Sequence, residues 1–192
     1  MEIYNQDEFK LYKDQILDKI KNGAVFIHPT DTIYGLGCNA QDSEAVNKIR
    51  KIKQRYKQPF SVIAPSKDWI FNVCKCPNKA ECDKWLMRLP GPYTLIISLN
   101  DKSVVAKETN NGLDTLGVRI PNHWFSAAAK ESGVPIVTTS ANITGDSFMT
   151  SIENLDDDIK NQIDFVIYEG EKKGEPSKIV DLTKEKSEEK SR

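Results

Sequence analysis

No stretch of this 192-residue chain approaches the roughly 18 consecutive apolar residues that a membrane-spanning helix requires. Its first residues, MEIYNQDEFKLYKDQ, also lack the basic-then-apolar order of a secretory leader, so the expected location is the cytoplasm, with no membrane partner. Neither sign of charge is in excess: 27 Lys and Arg face 28 Asp and Glu, which excludes a globally basic protein while leaving local patches open. Histidine is scarce, with only His28 and His123, so imidazole triads and multi-histidine metal sites are poor readings. Missing too are G-x-G-x-x-G after a strand, G-x-x-x-x-G-K-[ST], H-E-x-x-H and G-x-S-x-G. Any catalysis should rest on holding polyanionic and small polar substrates together and stabilising charge as it develops.

Cysteine is sparse as well. Cys38 stands alone and Cys74, Cys76 and Cys82 form CKCPNKAEC. A cytoplasmic chain of this length needs no disulfide, and C-x-C-x5-C offers three thiolates at a spacing foreign to the usual zinc knuckles; the four read as ordinary thiols, with no metal site.

What is present describes an ordinary globular chain, 39% hydrophobic and 29% charged, long enough for one sizeable core and cramped as two. AVFIH (24–28), FSVIA (60–64), YTLIISL (93–99), TLGVRI (115–120), PIVTT (135–139), DFVIYE (164–169) and SKIVDL (177–182) read as strands. Helical patterns lie at 7–21, 42–55, about 79–88, 123–131 and 152–161. In the second, Ala45, Val46, Ile49 and Ile52 make one apolar face, and Asp42 is placed to cap it. Alternating strands and helices predict an α/β fold. The helix-poor run from Tyr93 to Ile120 predicts antiparallel pairing, hence a mixed sheet. The domain is expected over 1–183, with 184–192, KEKSEEKSR, a charged and flexible tail.

Several strand ends carry polar groups that could do chemistry. HPTDTIYGLG (28–37) concentrates hydroxyls, a carboxylate and a phenol just after a strand, where it is either a ligand loop or a turn satisfying its own backbone. Lys48, Arg50, Lys51, Lys53, Arg55 and Lys57 are six positive charges with no acid among them. Helical geometry spreads them around the axis, and a solvated face accounts for most. Lys53 and Arg55, at the helix exit, compete between solvent and a phosphate or carboxylate site. LPGPYT (89–94) is a stiff approach to a strand. In TLGVR, Thr115, Gly117 and Arg119 share one side; an Arg in an apolar strand needs a partner, either a ligand anion or a structural Asp or Glu. VTTSANITGDS (137–147) ends another strand in small hydroxyl and amide groups, and GEPS (174–177) adds one more hydroxyl.

Six blocks in order, PTDTIYGLG, KQR followed by KQPF, LPGPYTLII, GVRIP, TTSAN with ITG, and PSKIVDL, make the chain resemble the YrdC/Sua5 family over about residues 10–182. The resemblance implies a twisted, open, mixed α/β sheet flanked by helices, with a concave positively charged surface. It implies an L-threonylcarbamoyladenylate synthase, a nucleotidyltransferase that forms threonylcarbamoyl-AMP and pyrophosphate from ATP with Mg²⁺, L-threonine and bicarbonate. The product would pass to a tRNA threonylcarbamoyltransferase complex acting on adenosine 37 of ANN-decoding tRNAs. Double-stranded RNA or tRNA is a further implied partner. Carried over by motif, Thr32, Tyr34, Arg119, Thr139 and Ser177 would bind threonine. Lys53, Arg55, Thr115, Ser140, Asn142 and Ser147 would line the ATP side, with Lys53 and Arg55 the electrostatic and positioning candidates. The chain has Asp31 where the family commonly has Glu, Tyr56 where Pro is frequent, and Lys178 where Thr often follows PS. Its length matches the single-domain form. A non-catalytic RNA-binding maturation factor of the same fold is the alternative, and a carbamoyladenylate-handling domain like that of hydrogenase maturation factors a more distant one.

Overall fold

The computed structural model describes residues 1–190. Its strands are β1 (Glu2–Tyr4), β2 (Phe26–His28), β3 (Gly35–Gly37), β4 (Ser61–Ile63), β5 (Cys74–Lys75), β6 (Tyr93–Leu99), β7 (Thr115–Arg119), β8 (Ile136–Ser140), β9 (Phe165–Ile167), β10 (Lys178–Asp181) and β11 (Glu188–Lys190). The helices are α1 (Gln6–Leu11), α2 (Lys13–Lys21), α3 (Ser43–Ile52), α4 (Lys67–Val73), α5 (Lys79–Leu86), α6 (Lys107–Asn110), α7 (Ser126–Ser132) and α8 (Asp157–Lys160). The strands form one sheet in the order β1-β9-β2-β3-β8-β4-β7-β6-β10-β11, with β5 also on β6. Pairing is parallel at β1/β9, β2/β9, β4/β7 and β6/β10, and antiparallel elsewhere, including the expected β6/β7 ladder. The mixed sheet is therefore as read from the sequence. No helix among the described residues is long and apolar enough to cross a membrane.

The two halves of the sheet are covered differently. Along β2, β4, β8 and β9 successive side chains enter opposite apolar layers: Phe26, Ile63, Ile136 and Phe165 face α1, α2 and α7, while Ile27, Val62, Val137 and Val166 face the larger core. In β6, β7 and β10 only one face is apolar, through Leu95, Ile97, Leu116, Val118 and Val180. The other face, with Thr94, Gly117, Arg119 and Ile179, has no helix layer packed on it and is where a ligand surface can form.

Helix α3 follows its sequence closely. The Asp42 side chain accepts from the Glu44 and Ala45 amides at 2.9 and 3.0 Å, and Val46, Ile49 and Ile52 are buried, each worth about 1.5–3 kcal/mol. It stops at Ile52 because Gln54 takes a left-handed φ of 52°, which turns Arg55 out of the helix. Arg50 differs from the solvated reading. It is buried, donates to the carbonyls of Glu108, Arg55 and Gln58, and lies 4.6 Å over the Phe60 ring, so it ties down the chain that carries Arg55.

Two expectations are corrected at the C-terminal side and in the cysteines. Residues 188–190, placed in a flexible tail, form β11 on β10, with Lys190 on Asp181 at 2.6 Å and Ser187 donating to Glu81. Main-chain pairing and ion pairs need no apolar period, so the charged sequence hid the strand. Residues 191 and 192 lie outside the described residues. Cys76 and Cys82, read as ordinary thiols, are joined as a disulfide, because the first turns of α5 bring Cys82 back beside the end of β5; Cys38 and Cys74 are free thiols.

Candidate active site

A cavity of about 360 Å³ opens on the uncovered face, where six separate segments converge. The β2–β3 connection supplies Thr30, Ile33 and Tyr34; the chain entering β4 supplies Arg55, Phe60 and Ser61; β6 supplies Thr94, β7 Arg119, β8 Thr138, Thr139 and Ser140, and the approach to β10 Ser177. Gly117 leaves room in the middle: a Cβ there would stand 2.7 Å from Ser61 Oγ and 3.3 Å from the Thr94 methyl. The lining holds two guanidinium groups, a ring of hydroxyls and no carboxylate.

Arg119 ends β7 and is buried. Its Nη2 donates to Asp31 Oδ1 at 2.6 Å and to Thr32 Oγ1 at 3.3 Å. Asp31 also accepts the Asn122 amide at 2.8 Å, so the carboxylate fixes the guanidinium in place. The sequence left the partner of Arg119 open between a ligand anion and a structural acid; the structure supplies Asp31. A guanidinium carries five N–H donors, so one fork can hold Asp31 while the group borders the cavity.

Tyr34 is fully buried; its hydroxyl donates to the Gly170 carbonyl at 2.7 Å and accepts the Glu169 amide at 3.1 Å. Burial raises its pKa well above the ordinary phenol value, so it is a fixed neutral wall. Nearby, Glu169 accepts from His123 and from Trp124 Nε1 at 2.8 and 2.7 Å and pairs with Lys172 at 2.6 Å, which anchors the segment leading to GEPS. Gly174 then presses on the first loop so closely that a Cβ would lie 1.9 Å from the Thr32 carbonyl oxygen. Thr94 Oγ1 and Ser177 Oγ are 2.8 Å apart across the far wall.

Of the residues expected to bind threonine, Tyr34, Arg119, Thr139 and Ser177 line the cavity, while Thr32 stands one step behind, 2.9 Å from the hydroxyl of Thr30. Of those expected to bind ATP, Arg55 and Ser140 line it. Lys53 does not: its buried ammonium donates to the carbonyls of Ser140 and Asn142 at 2.5 and 2.6 Å and to Asn142 Oδ1 at 3.1 Å. Burial, helped by Arg55, lowers its pKa to about 7, while those three oxygens favour the charged form. Lys53 thus shapes the TTSAN loop. Asn142 is its partner there and accepts from Ser140 Oγ, and Ser147 is exposed farther along the same loop. Thr115 is misplaced: it shares a side with Arg119 but pairs with Ser98 at the opposite end of β7, about 13 Å away along the strand. Ser61 was missed altogether, and Thr30, Thr94 and Thr138 lay in blocks that were singled out but were given no role of their own. Their signal was weak, since each is one hydroxyl at the edge of a strand.

His28 lies beneath this site with its ring stacked on Phe125 at 4.8 Å and packed where side chains at Gly35 and Gly37 would be. Nδ1 donates weakly to the Pro29 carbonyl at 3.3 Å, and Nε2 has no hydrogen-bond partner among the described residues. Burial pushes its pKa down to about 3, so the ring is neutral and structural.

Comparison with known proteins accords with this geometry. The Sua5/YciO/YrdC family model, described as telomere recombination, matches residues 18–190. A threonylcarbamoyl-AMP synthase of Pyrococcus abyssi is 35% identical over 171 residues, covering 85% of this chain and 48% of that protein. One from Vibrio campbellii is 28% identical over 174 residues, covering 88% and 92%. The structure of P. abyssi Sua5 complexed with L-threonine superposes with a TM-score of 0.85 at 30% identity, covering 97% of this chain and 56% of that one. The chain spans about half the length of the P. abyssi protein and nearly all of the Vibrio one. The family model spans most of the chain and these relatives match it in sequence and fold, and the chain belongs to the YrdC/Sua5 family of threonylcarbamoyl-AMP synthases.

Proposed function

We propose that this chain forms threonylcarbamoyl-AMP from ATP, L-threonine and bicarbonate, releasing pyrophosphate. The observation that carries the reading is an acid-free cavity in which a buried Arg119, oriented by Asp31, stands among small hydroxyls, with a second guanidinium, Arg55, in the same wall. The P. abyssi relative, solved with L-threonine, gives the same fold. Arg119 suits the threonine carboxylate, with Thr139 and Ser177 as hydroxyl neighbours and Tyr34 closing the wall. Arg55 suits the triphosphate, on the side of Ser140.

The threonine amine adds to bicarbonate with loss of water, giving a carbamate. A carbamate oxygen then attacks the α-phosphorus of ATP as the bond to pyrophosphate breaks. The cavity lining offers hydroxyls but no histidine, cysteine, lysine or carboxylate to activate them or to act as a base, so rate enhancement comes from positioning and from the two cations. It also offers no carboxylate for a resident metal; Mg²⁺ is expected to enter already held by the nucleotide phosphates. The adenylate would then serve a separate transferase acting on adenosine 37 of tRNA.

The test is incubation of the purified chain with MgATP, bicarbonate and labelled threonine, measuring pyrophosphate and the adenylate. Both are expected, and omission of bicarbonate should abolish them. Serine in place of threonine should cost about 1–3 kcal/mol in specificity for the lost methyl contact. Folded protein that binds tRNA yet makes neither product would favour the RNA-binding alternative.

A further inference from the structure

At the other end of β6 from Thr94, three cysteines come together. Cys74 begins β5 opposite Leu99, Cys76 follows two residues later, and Cys82 lies in the second turn of α5. Their sulfur atoms all fall within 4.8 Å of one another, and the Sγ atoms of Cys74 and Cys76 are 3.1 Å apart. Cys82 is buried in the larger core, while Cys74 and Cys76 are half-buried at its edge. We propose that Cys74, Cys76 and Cys82, once reduced, form a three-thiolate site for one soft divalent cation of the zinc class, and that the Cys76–Cys82 disulfide is its closed, metal-free form.

The geometry already suits the ion. Sulfurs bound to Zn²⁺ at about 2.3 Å in tetrahedral order stand about 3.8 Å from one another; no pair in this cluster starts farther apart than 4.8 Å, and reduction frees Cys76 and Cys82 to part to that spacing. Thiolate sulfur selects soft cations over Mg²⁺ or Ca²⁺. The half-buried edge leaves a fourth position for water. Cys38, fully buried elsewhere in the core and hydrogen-bonded to Asn39, takes no part. From Thr94 to Leu99 the strand runs about 17 Å, and the cysteines pack on the core side of the sheet rather than on the cavity face. The site therefore stands whether or not the proposed synthase reaction does.

Opening the site requires a two-electron reduction. A dithiol reductant gives two electrons and two protons to the Cys76–Cys82 bond, leaving two protein thiols, and closes to its own disulfide. Cation binding then displaces the three thiol protons to solvent.

The full chain, reduced with a dithiol and desalted anaerobically, would be titrated with Zn²⁺ against a chromogenic chelator, and with Co²⁺ for its sulfur-to-metal charge-transfer absorption. One ion per chain is expected, with affinity at least 100-fold weaker in Cys74→Ser and unchanged in Cys38→Ser. Cys74 is outside the disulfide, so its replacement leaves that bond able to form. As a second readout on the unmutated chain, Zn²⁺ should slow alkylation of Cys74, Cys76 and Cys82 but not that of Cys38 in unfolded controls. Equal Zn²⁺ affinity in the reduced wild type and Cys74→Ser, or alkylation indifferent to Zn²⁺, would overturn the proposal and leave a thiol–disulfide pair without a metal.

Discussion

Replacing Gly174 with Ala tests whether two loops 142 residues apart in sequence are in register at the cavity. A Cβ at this position would lie 1.9 Å from the Thr32 carbonyl oxygen, 2.8 Å from its carbon and 3.3 Å from its Cα, all main-chain atoms that no rotamer change can move. Reaching ordinary contact near 3.5 Å requires the strands of chain to part by about 1.6 Å. That displacement must be absorbed by the PTDT loop, which positions Asp31 against Arg119, or by the GEPS segment, which delivers Ser177 to the wall. A misplacement of about 1 Å can cost on the order of 100-fold in rate, so kcat/KM for threonine should fall by about 100-fold or more. Gly174 is only half-buried, so the segment can move outward, and urea denaturation should show a loss below about 2 kcal/mol. Gly133→Ala is the control: its φ of 74° makes alanine strained, but a Cβ there meets nothing within 4 Å. It should lose about 1 kcal/mol of stability and no activity. A Gly174→Ala enzyme within threefold of wild type in pyrophosphate release would refute the argument that this contact sets the cavity.

Other outcomes follow from the buried polar groups. His28 has its folded pKa lowered to about 3 from 6.5, so the unfolded chain binds the extra proton below pH 6.5 and stability falls as pH drops toward 3. At pH 4.5, two units below 6.5, this amounts to about 2.7 kcal/mol. His28→Phe should lose that much less than wild type between pH 7 and 4.5 in urea titrations, and an identical pH loss in both would sink the assignment. Asp31→Asn removes one partner of a pair whose side chains are 6% and 10% exposed, and should cost about 3 kcal/mol of stability and raise KM for threonine more than it lowers kcat. Stability and KM both unchanged would mean that Asp31 does not hold Arg119. Lys53→Met leaves the Ser140 and Asn142 oxygens without their shared donor; KM for ATP should rise through loss of loop shape, with threonine KM less affected, and ¹⁵N spectra should shift at residues 140–144. No spectral change in that loop would contradict the role.

Much of the fold was legible because the long strands announce themselves: β6 matches YTLIISL from end to end, five others lie inside the expected segments, and β8 overruns its segment by one residue. The unread strands fail for identifiable reasons. The residues of β3, Gly-Leu-Gly, have little strand preference of their own, and the strand forms because the His28 ring fills the space above both glycines. In β11 all three side chains are exposed, so no alternation exists to detect. The pattern at 7–21 splits into two helices at Tyr12, and α4 was not foreseen. At the site, a strand's period of two correctly grouped Thr115, Gly117 and Arg119 on one face, yet it says nothing of which end of the strand meets the ligand. Lys53 shows the complementary limit. Its motif is visible, but only the fold reveals that the ammonium is spent on the neighbouring loop's carbonyls.

The strand order places the first and last described strands far apart. β1 and β11 occupy opposite edges of the sheet, nine strand spacings from one another, on the order of 40 Å along the surface. Ser177 immediately precedes β10, and the antiparallel pairing sets Lys190 of β11 opposite Ile179, another residue of the cavity wall. An affinity handle or fluorescent label intended to leave substrate entry undisturbed therefore belongs ahead of β1, and a reporter meant to sense occupancy of the cavity belongs behind β11.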